Sequence, residues 1–379
     1  MKKKILTFGS YLLVAILTAA LTLSLSGVEG PSKLDRLEML IGERFIGEAD
    51  PQALEDSAAA AMVKATGDRW SYYISAEDYA AHVEQEQNAY VGVGITIQQE
   101  GEEGFLIVMV SDGGPAKEVG VEVNDLLIAV DGQDIRGMTT EDVRTLVSGE
   151  AGSKVSLTVM RKGEHMTLTM ERRRIEETVA EGELLQETIG LITIYNFDER
   201  CAEETIAAIE QLRAEGAQKL IFDVRYNSGG FASELVTLLD YLLPEGDLFR
   251  SVSYDGTEKV NTSDASCLEM PMAVLVNGSS YSAAEFFAAA LQEYEAAVVV
   301  GEPTVGKGVY QQTFELGDGS AVSLSTGRYY TPKGNSLTDV GVTPDILAEV
   351  DEETAAQIYY GQLPPEEDAQ VQAAVKALK

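Results

Sequence analysis

Histidine is nearly missing from this chain. Of its 379 residues only His82 and His165 are histidines. Most hydrolases that activate a nucleophile use histidine as the base, so comparable chemistry here calls for a different one. Cysteine is equally scarce. Cys201 and Cys267 stand in no metal-ligand spacing, which excludes a cysteine-built zinc site and a disulfide framework; one disulfide and two unpaired thiols are both compatible with the spacing. Positive charge is the third shortage. There are 28 basic against 62 acidic residues, a formal charge of −34. So acidic a surface repels phosphate backbones, which excludes nucleic acid as a partner and leaves solubility as the plain reading of the charge. Repeats and low-complexity segments do not stand out.

The chain opens on Lys2, Lys3 and Lys4, followed by an apolar run from Ile5 to about Leu25. Roughly 20 apolar residues span a bilayer, and the basic cluster keeps its side cytoplasmic. The run reads as an uncleaved membrane anchor that places the rest of the chain outside the cytoplasm. A cleaved signal peptide is the competing reading, for which Ser24-Leu25-Ser26-Gly27 is a poor small-x-small site.

Residues 29–87 read as a helical region. Leu34, Leu37, Ile41 and Phe45 recur near helical spacing, Leu54–Ala65 is alanine-rich, and Ser75 is placed to N-cap a helix beginning at Ala76. Packing and spacing account for it. From about Tyr90 the pattern turns to strands: Val91–Ile97, Phe105–Val110 and Leu126–Val130, with a helix start at Gly114-Pro115-Ala116. A helix capped by Thr140 and a hairpin, Val155–Arg161 with Met166–Arg172, complete one compact unit over 88–174. From Ile189 strands and helices alternate. Strands Ile189–Ile194, Leu220–Val224, Met272–Val276 and Ala297–Gly301 are separated by helices near 202–215, 233–243 and 282–294. This is a layered α/β domain over 175–350, whose ligands are expected at the carboxyl ends of the strands. Residues 351–379 form an acidic helical tail ending in a packed helix over Ala369–Leu378.

Ser282 stands where a buried strand turns into a helix that is apolar nearly all round, from Ala283 to Leu291. Unpaired N–H groups at such a terminus stabilise an oxyanion when a serine attacks a carbonyl. A plain N-cap is the commoner use of a serine there. Serine also needs a base, and neither histidine is placed to serve: His82 lies in the helical region and His165 in the hairpin. Lys307, in Gly306-Lys307-Gly308, follows an apolar strand and is flanked by Val305 and Val309. Desolvation there would lower its pKa toward that of a proton acceptor, although most loop lysines are simply solvated.

Ser280-Tyr281-Ser282-Ala283-Ala284-Glu285 followed by Gly301-Glu302-Pro303-Thr304-Val305-Gly306-Lys307-Gly308 resembles the carboxyl-terminal processing proteases of peptidase family S41. Their pattern is Ser-Ala-Ser-Ala-x-Glu, then Gly-x-x-Thr-x-Gly-Lys-Gly. The resemblance implies Ser282 as nucleophile, Lys307 as general base and Gln311 as the residue orienting its amine. Asp223-Val224-Arg225-Tyr226-Asn227-Ser228-Gly229-Gly230 is similar to the family's glycine loop, which implies an oxyanion hole from Ala283 N–H with that of Gly229 or Gly230. Tyr330-Thr331-Pro332 and Gly341-Val342-Thr343-Pro344-Asp345 match later motifs.

The unit over 88–174 resembles the PDZ domain that this family carries. Gly92-Val93-Gly94-Ile95 is similar to its carboxylate-binding loop. Strand Ile95–Gln99 would offer an edge for an added peptide strand facing Val143 and Leu146 of the helix. Two positions depart from the family. Tyr281 replaces the usual alanine, and Val147-Ser148-Gly149 lacks the arginine of Ile-Arg-Gly.

The resemblance implies a PDZ domain inserted between an N-terminal helical segment and a crotonase/ClpP-like layered α/β serine-protease core, in an α+β and α/β multidomain chain. It implies a serine endopeptidase that cleaves polypeptides near accessible C-terminal tails by a Ser–Lys dyad, with no metal or organic cofactor. The partners expected are polypeptide substrates and, through residues 1–28, a membrane; a homo-oligomer is compatible with the sequence. A catalytically inactive PDZ scaffold is the alternative.

Overall fold

The structure is a computed structural model and describes residues 31–101, 103–111 and 113–378. The expected membrane anchor lies outside these residues. Among those described, no helix is long and apolar enough to cross a membrane.

The chain divides into two units, Met1–Tyr73 and Ile74–Lys379. In the first, α1 (Lys33–Arg44) starts at a reciprocal cap between Ser32 and Asp35, and α2 (Pro51–Lys64) starts at Asp50 with proline in its first turn. The helical spacing of Leu34 and Leu37 does mark a helix, but Leu34, Leu37, Leu40 and Phe45 are all exposed. Packing therefore does not account for α1 within the described residues.

The second unit begins at α3 (Ala76–Glu86), capped by Ser75 as its sequence suggests. The PDZ-like part follows. Its sheet runs β2 (Ile95–Glu100), β3 (Gly104–Val110), β4 (Leu126–Val130), β6 (Lys154–Arg161) and β7 (Glu164–Glu171), with a short β5 (Gln133–Asp134) against β4. Helices α4 (Pro115–Glu118) and α5 (Thr140–Val147) complete it. Thr139, one residue before the expected Thr140, caps α5. Phe105, Ile107, Leu127, Val143, Leu157 and Val159 fill the core. Entry and exit strands β1 (Ala89–Gly92) and β8 (Arg173–Glu176) pair with each other, so both crossings of the chain lie side by side.

The larger sheet has the order β9 (Ala180–Leu185), β10 (Ile189–Ile194), β11 (Lys219–Asp223), β14 (Met272–Val276), β15 (Ala297–Gly301) and β18 (Ile346–Leu347). All pairings after the first are parallel. Helices α6 (Cys201–Glu215), α7 (Ala232–Leu242) and α8 (Ala283–Glu293) pack on one face. Helix α10 (Ala369–Ala377) covers the other through Val371, Ala374, Val375 and Leu378. Burial on both faces is why the inner strands β14 and β15 read as unbroken apolar runs. The expected tail is thus a structural layer, with α9 (Glu352–Tyr359) leading into it.

A further antiparallel sheet lay beyond the sequence reading. It joins β13 (Glu258–Ser263), β12 (Gly246–Ser253), β17 (Ala321–Tyr330) and β16 (Val309–Glu315). Cys201 is buried, Cys267 is half-buried and both are free thiols, so the two do not pair.

Candidate active site

Four adjacent parallel strands send their carboxyl ends to one place. After β10 comes Asn196–Arg200, after β11 Arg225–Gly230, after β14 Asn277–Ser282, and after β15 Glu302–Gly308. Ligand sites in α/β sheets form at such ends.

Ser282 is the N-cap of α8, but an unusual one. Its φ of +59° and ψ of −125° lie outside the extended region that N-caps normally adopt. Strain of about 1–3 kcal/mol is expected of a non-glycine residue held there, and it persists only where the surroundings impose it. Here they do. Every residue of α8 from Ala283 to Leu291 is buried. Phe287 meets Phe197 and Phe222, with ring centroids 5.6 and 5.4 Å apart.

The glycine loop is pressed against this turn. A Cβ on Gly229 would lie 2.7 Å from Ser282 Cβ and 2.8 Å from Ala283 N, and one on Gly230 2.3 Å from the Phe197 carbonyl carbon. Only glycine permits both approaches, with φ of +88° and +150°. Asn227, fully buried, holds the loop. Its Oδ1 accepts the Gly229 N–H at 2.8 Å, its Nδ2 donates to Ile194 O at 2.7 Å, and its carbonyl accepts the Tyr281 N–H at 3.1 Å. The Gly229 N–H is therefore already engaged within the loop. Ser280 Oγ donates to Val224 O at 2.7 Å, so the first serine of the motif ties the two loops together.

Glu285 lies fully buried one turn into α8. Its Oε2 accepts the N–H of Ser282 at 3.0 Å and of Lys307 at 2.8 Å. Its Oε1 accepts the Gly306 N–H at 2.7 Å and the Thr304 hydroxyl. One carboxylate thus fixes the main chain at both Ser282 and Lys307 with charge-assisted bonds. Thr304 Oγ1 in turn accepts the Val342 N–H at 2.7 Å, which anchors the Gly341–Asp345 motif to the same cluster.

Lys307 is half-buried, and its Nζ lies 5.7 Å from the centroid of the Tyr281 ring. The tyrosine that replaces the usual alanine is thus next to the amine. Gln311 on β16 donates its amide to Ser325 Oγ on β17 at 2.9 Å.

The region from 188 to 348 matches peptidase family S41, and residues 106–161 match a PDZ domain. The carboxy-terminal processing protease CtpA of Bacillus subtilis is 31% identical over 366 residues, covering 92% of this chain and 78% of that protein. The chain belongs to the carboxy-terminal processing proteases of peptidase family S41. A probable CtpA-like serine protease of Staphylococcus aureus is 28% identical and is spanned for 64% of its length. Among solved structures, the photosystem II D1 C-terminal processing protease aligns over 83% of this chain and 86% of its own, with a TM-score of 0.50 and 25% identity. An S41 protease from Bacteroides fragilis shares the fold at a TM-score of 0.55 over 92% of this chain. The protein is therefore a serine-type peptidase, and an inactive scaffold is not favoured.

Among the described residues, β2 of the protease's PDZ domain is an edge strand, pairing with β3 alone in its sheet, and it faces α5. Gly94 O accepts the Ser111 N–H and Val93 O the Ala116 N–H, at 3.0 and 2.9 Å. Since a trans peptide directs its N–H opposite to its C=O, the Gly94 N–H points away from Ala116. The side chains divide. Ile95, Ile97 and Leu146 are half-buried, whereas Val93 and Val143 are 1% and 0% exposed. Val143 is therefore a core residue with no exposed surface to offer, a correction to its reading as a peptide contact. Where the family's Ile-Arg-Gly arginine is missing, Arg172 holds the end of α5 by donating to Leu146 O and Val147 O at 3.0 and 2.8 Å.

Proposed function

We propose that this protease is an extracytoplasmic endopeptidase that cleaves polypeptides near their C-termini through Ser282 and Lys307, with the PDZ domain holding the substrate tail. The observation that carries the reading is the strained Ser282 at the buried α8 terminus, joined through Glu285 to the Lys307 main chain.

The tail carboxylate sits at the Gly92–Ile95 loop, and its strand adds to β2 beside Ile95, Ile97 and Leu146. Ser282 Oγ attacks the scissile carbonyl carbon and passes its proton to the neutral Lys307 amine. The new oxyanion is met by the N–H groups of Ala283 and Gly230. Collapse breaks the C–N bond, and the leaving amine takes the proton from the Lys307 ammonium. Water then gives a proton to Lys307 and attacks the acyl carbon; collapse breaks the C–Oγ bond, and the Lys307 ammonium returns the proton to Ser282 Oγ as the acid product leaves. Gln311 is available to orient the amine, and catalytic contacts commonly tighten only in the substrate complex. The N-terminal segment tethers the enzyme to the membrane, and self-association belongs to the same reading.

The test is cleavage of a polypeptide with a free apolar C-terminal tail. Wild type should cut it and cut its C-terminally amidated form more slowly, while Ser282→Ala should leave both intact. Cleavage by Ser282→Ala at the wild-type rate would refute the nucleophile. Equal rates on the free and amidated tails would refute tail recognition.

A further inference from the structure

The glycine loop is not held only by the motifs around it. Arg225, at its start, has a side chain just 5% exposed. It forms a fork with Asp223, donating Nε to Oδ1 at 2.9 Å and pairing Nη2 with Oδ2. Its remaining arm leaves the loop: Nη1 donates to Asp368 Oδ2 and to Gln370 Oε1, both at 2.8 Å. Asp368 is likewise 4% exposed. Burial opposes the charge on Arg225, and the two carboxylates more than offset it, so its pKa stands above the ordinary value.

Asp368 has two tasks, one for each oxygen. Oδ1 caps α10, accepting the N–H groups of Gln370 and Val371 at 2.8 and 3.2 Å. Oδ2 takes Arg225. Because α10 is seated on the back of the large sheet by Val371, Ala374 and Val375, the cap position is rigid, and so is the carboxylate offered to the loop. A second anchor comes from the same stretch of chain. Tyr226, the next loop residue, has φ of +60°. Its hydroxyl donates to Ala355 O at 2.9 Å, and its ring meets Tyr359 with centroids 5.2 Å apart.

We infer that Asp368 is a positioning residue for catalysis: the C-terminal segment 351–378, through Asp368 and Arg225, braces the loop that presents the Gly230 N–H to the oxyanion. The inference rests on the serine-protease reading of Ser282. Asp368 touches no reacting atom and acts through Arg225. The brace matters because oxyanion stabilisation depends on donor placement, and a misplacement near 1 Å costs on the order of 100-fold in rate.

The decisive variant is Asp368→Asn. An asparagine has one acceptor oxygen, so it can keep the helix cap or the arginine contact but not both. Val371→Ala serves as the comparison, since it loosens α10 on the sheet without touching Arg225. Three quantities are read on the full chain well below the melting temperature: kcat and KM on a tailed peptide, the rate of Ser282 phosphonylation by a fluorophosphonate, and Tm. Asp368→Asn should lower kcat and the phosphonylation rate by about 10- to 100-fold while KM changes by about twofold or less. Val371→Ala should keep kcat despite an equal or larger fall in Tm. Undiminished kcat in Asp368→Asn, or losses that follow Tm alike in both variants, would overturn the inference. A wild-type protein that is not phosphonylated at Ser282 would remove the serine reading, and the brace with it. A wild type labelled at Ser282, together with an Asp368→Asn variant labelled equally fast, would overturn the brace alone.

Discussion

Ser282 and Lys307 donate their main-chain N–H groups to the same oxygen, Oε2 of Glu285, at 3.0 and 2.8 Å. The two residues are 25 positions apart in sequence, and their relative placement is set by one buried carboxylate. The turn at Ser282 and the glycine-flanked loop at Lys307 behave as one assembly.

The first expectation follows for Glu285→Gln. The amide offers one acceptor oxygen where the carboxylate offers two, and its NH2 faces groups that are themselves donors. Some of the four bonds must break inside a dry site. Each buried donor left unpaired costs about 1–3 kcal/mol. The variant should lose on the order of 100-fold in kcat and about 2–4 kcal/mol in stability. Peptide cleavage combined with thermal unfolding checks this, and full activity at unchanged stability would show that the carboxylate does not position the site.

A methyl group at Gly229 should be much worse than one at Gly256. Both glycines have positive φ, +88° and +83°, so both alanine variants carry similar backbone strain. They differ in space. A Cβ at Gly229 would lie 2.7 Å from Ser282 Cβ, while one at Gly256 has nothing within 4 Å. Gly229→Ala should lose cleavage, and Gly256→Ala should keep it at a stability loss of about 1–2 kcal/mol. Equal activities would show that the close approach is unimportant.

These relations separate what the sequence reveals from what it conceals. Strands Ile189–Ile194, Met272–Val276 and Ala297–Gly301 could be read residue for residue, because burial on both faces leaves an apolar run with polar ends. Strands β13 and β16 are hard to read for the opposite reason. In Val309–Glu315, every residue after Gln311 is exposed, so apolar alternation is lost. Ser282 and Lys307 are legible as residue types in motifs. The acceptor that joins them is not, since Glu285 meets Thr304, Gly306 and Lys307 only after two strands are laid side by side. Asn227 sits in a recognisable motif, but a buried asparagine holding three main-chain groups looks in sequence like any loop asparagine. Val143 failed as a groove residue because α5 turns that side chain fully into the core.

Stability should respond to pH through Asp198. Burial, with Glu86 adding repulsion, pushes its carboxyl up from 3.8 to about 7. Its main chain borders the Arg225–Gly230 loop, where a Cβ on Gly230 would come within 2.6 Å of Asp198 N. A raised folded pKa means the folded state holds the proton more tightly. This contribution is fully present below about pH 4 and is lost as pH rises through about 7. The loss amounts to at most about 4 kcal/mol. Asp198→Asn stays neutral throughout, so it should melt several degrees above wild type at pH 8 and equal it at pH 4. A Tm difference independent of pH would show that the carboxyl does not titrate in this window.

Replacing Lys307 by methionine should separate catalysis from folding. The stem keeps its length, and the main-chain bond to Glu285 does not depend on the side chain. Cleavage should vanish while stability stays within about 1 kcal/mol. A large loss of stability would mark Lys307 as a structural ion-pairing residue and send the search for the base elsewhere.

The account turns on Ser282 as a nucleophile activated by Lys307, and mapping a covalent adduct tests that directly. The protease is treated with a fluorophosphonate near pH 8, digested, and the modified peptide sequenced by mass spectrometry, with Lys307→Met handled in parallel. Phosphonylation on Ser282 in wild type, slowed on the order of 100-fold or more in Lys307→Met, is the result expected. An adduct on another residue, or equal labelling of the two proteins at Ser282, would contradict it.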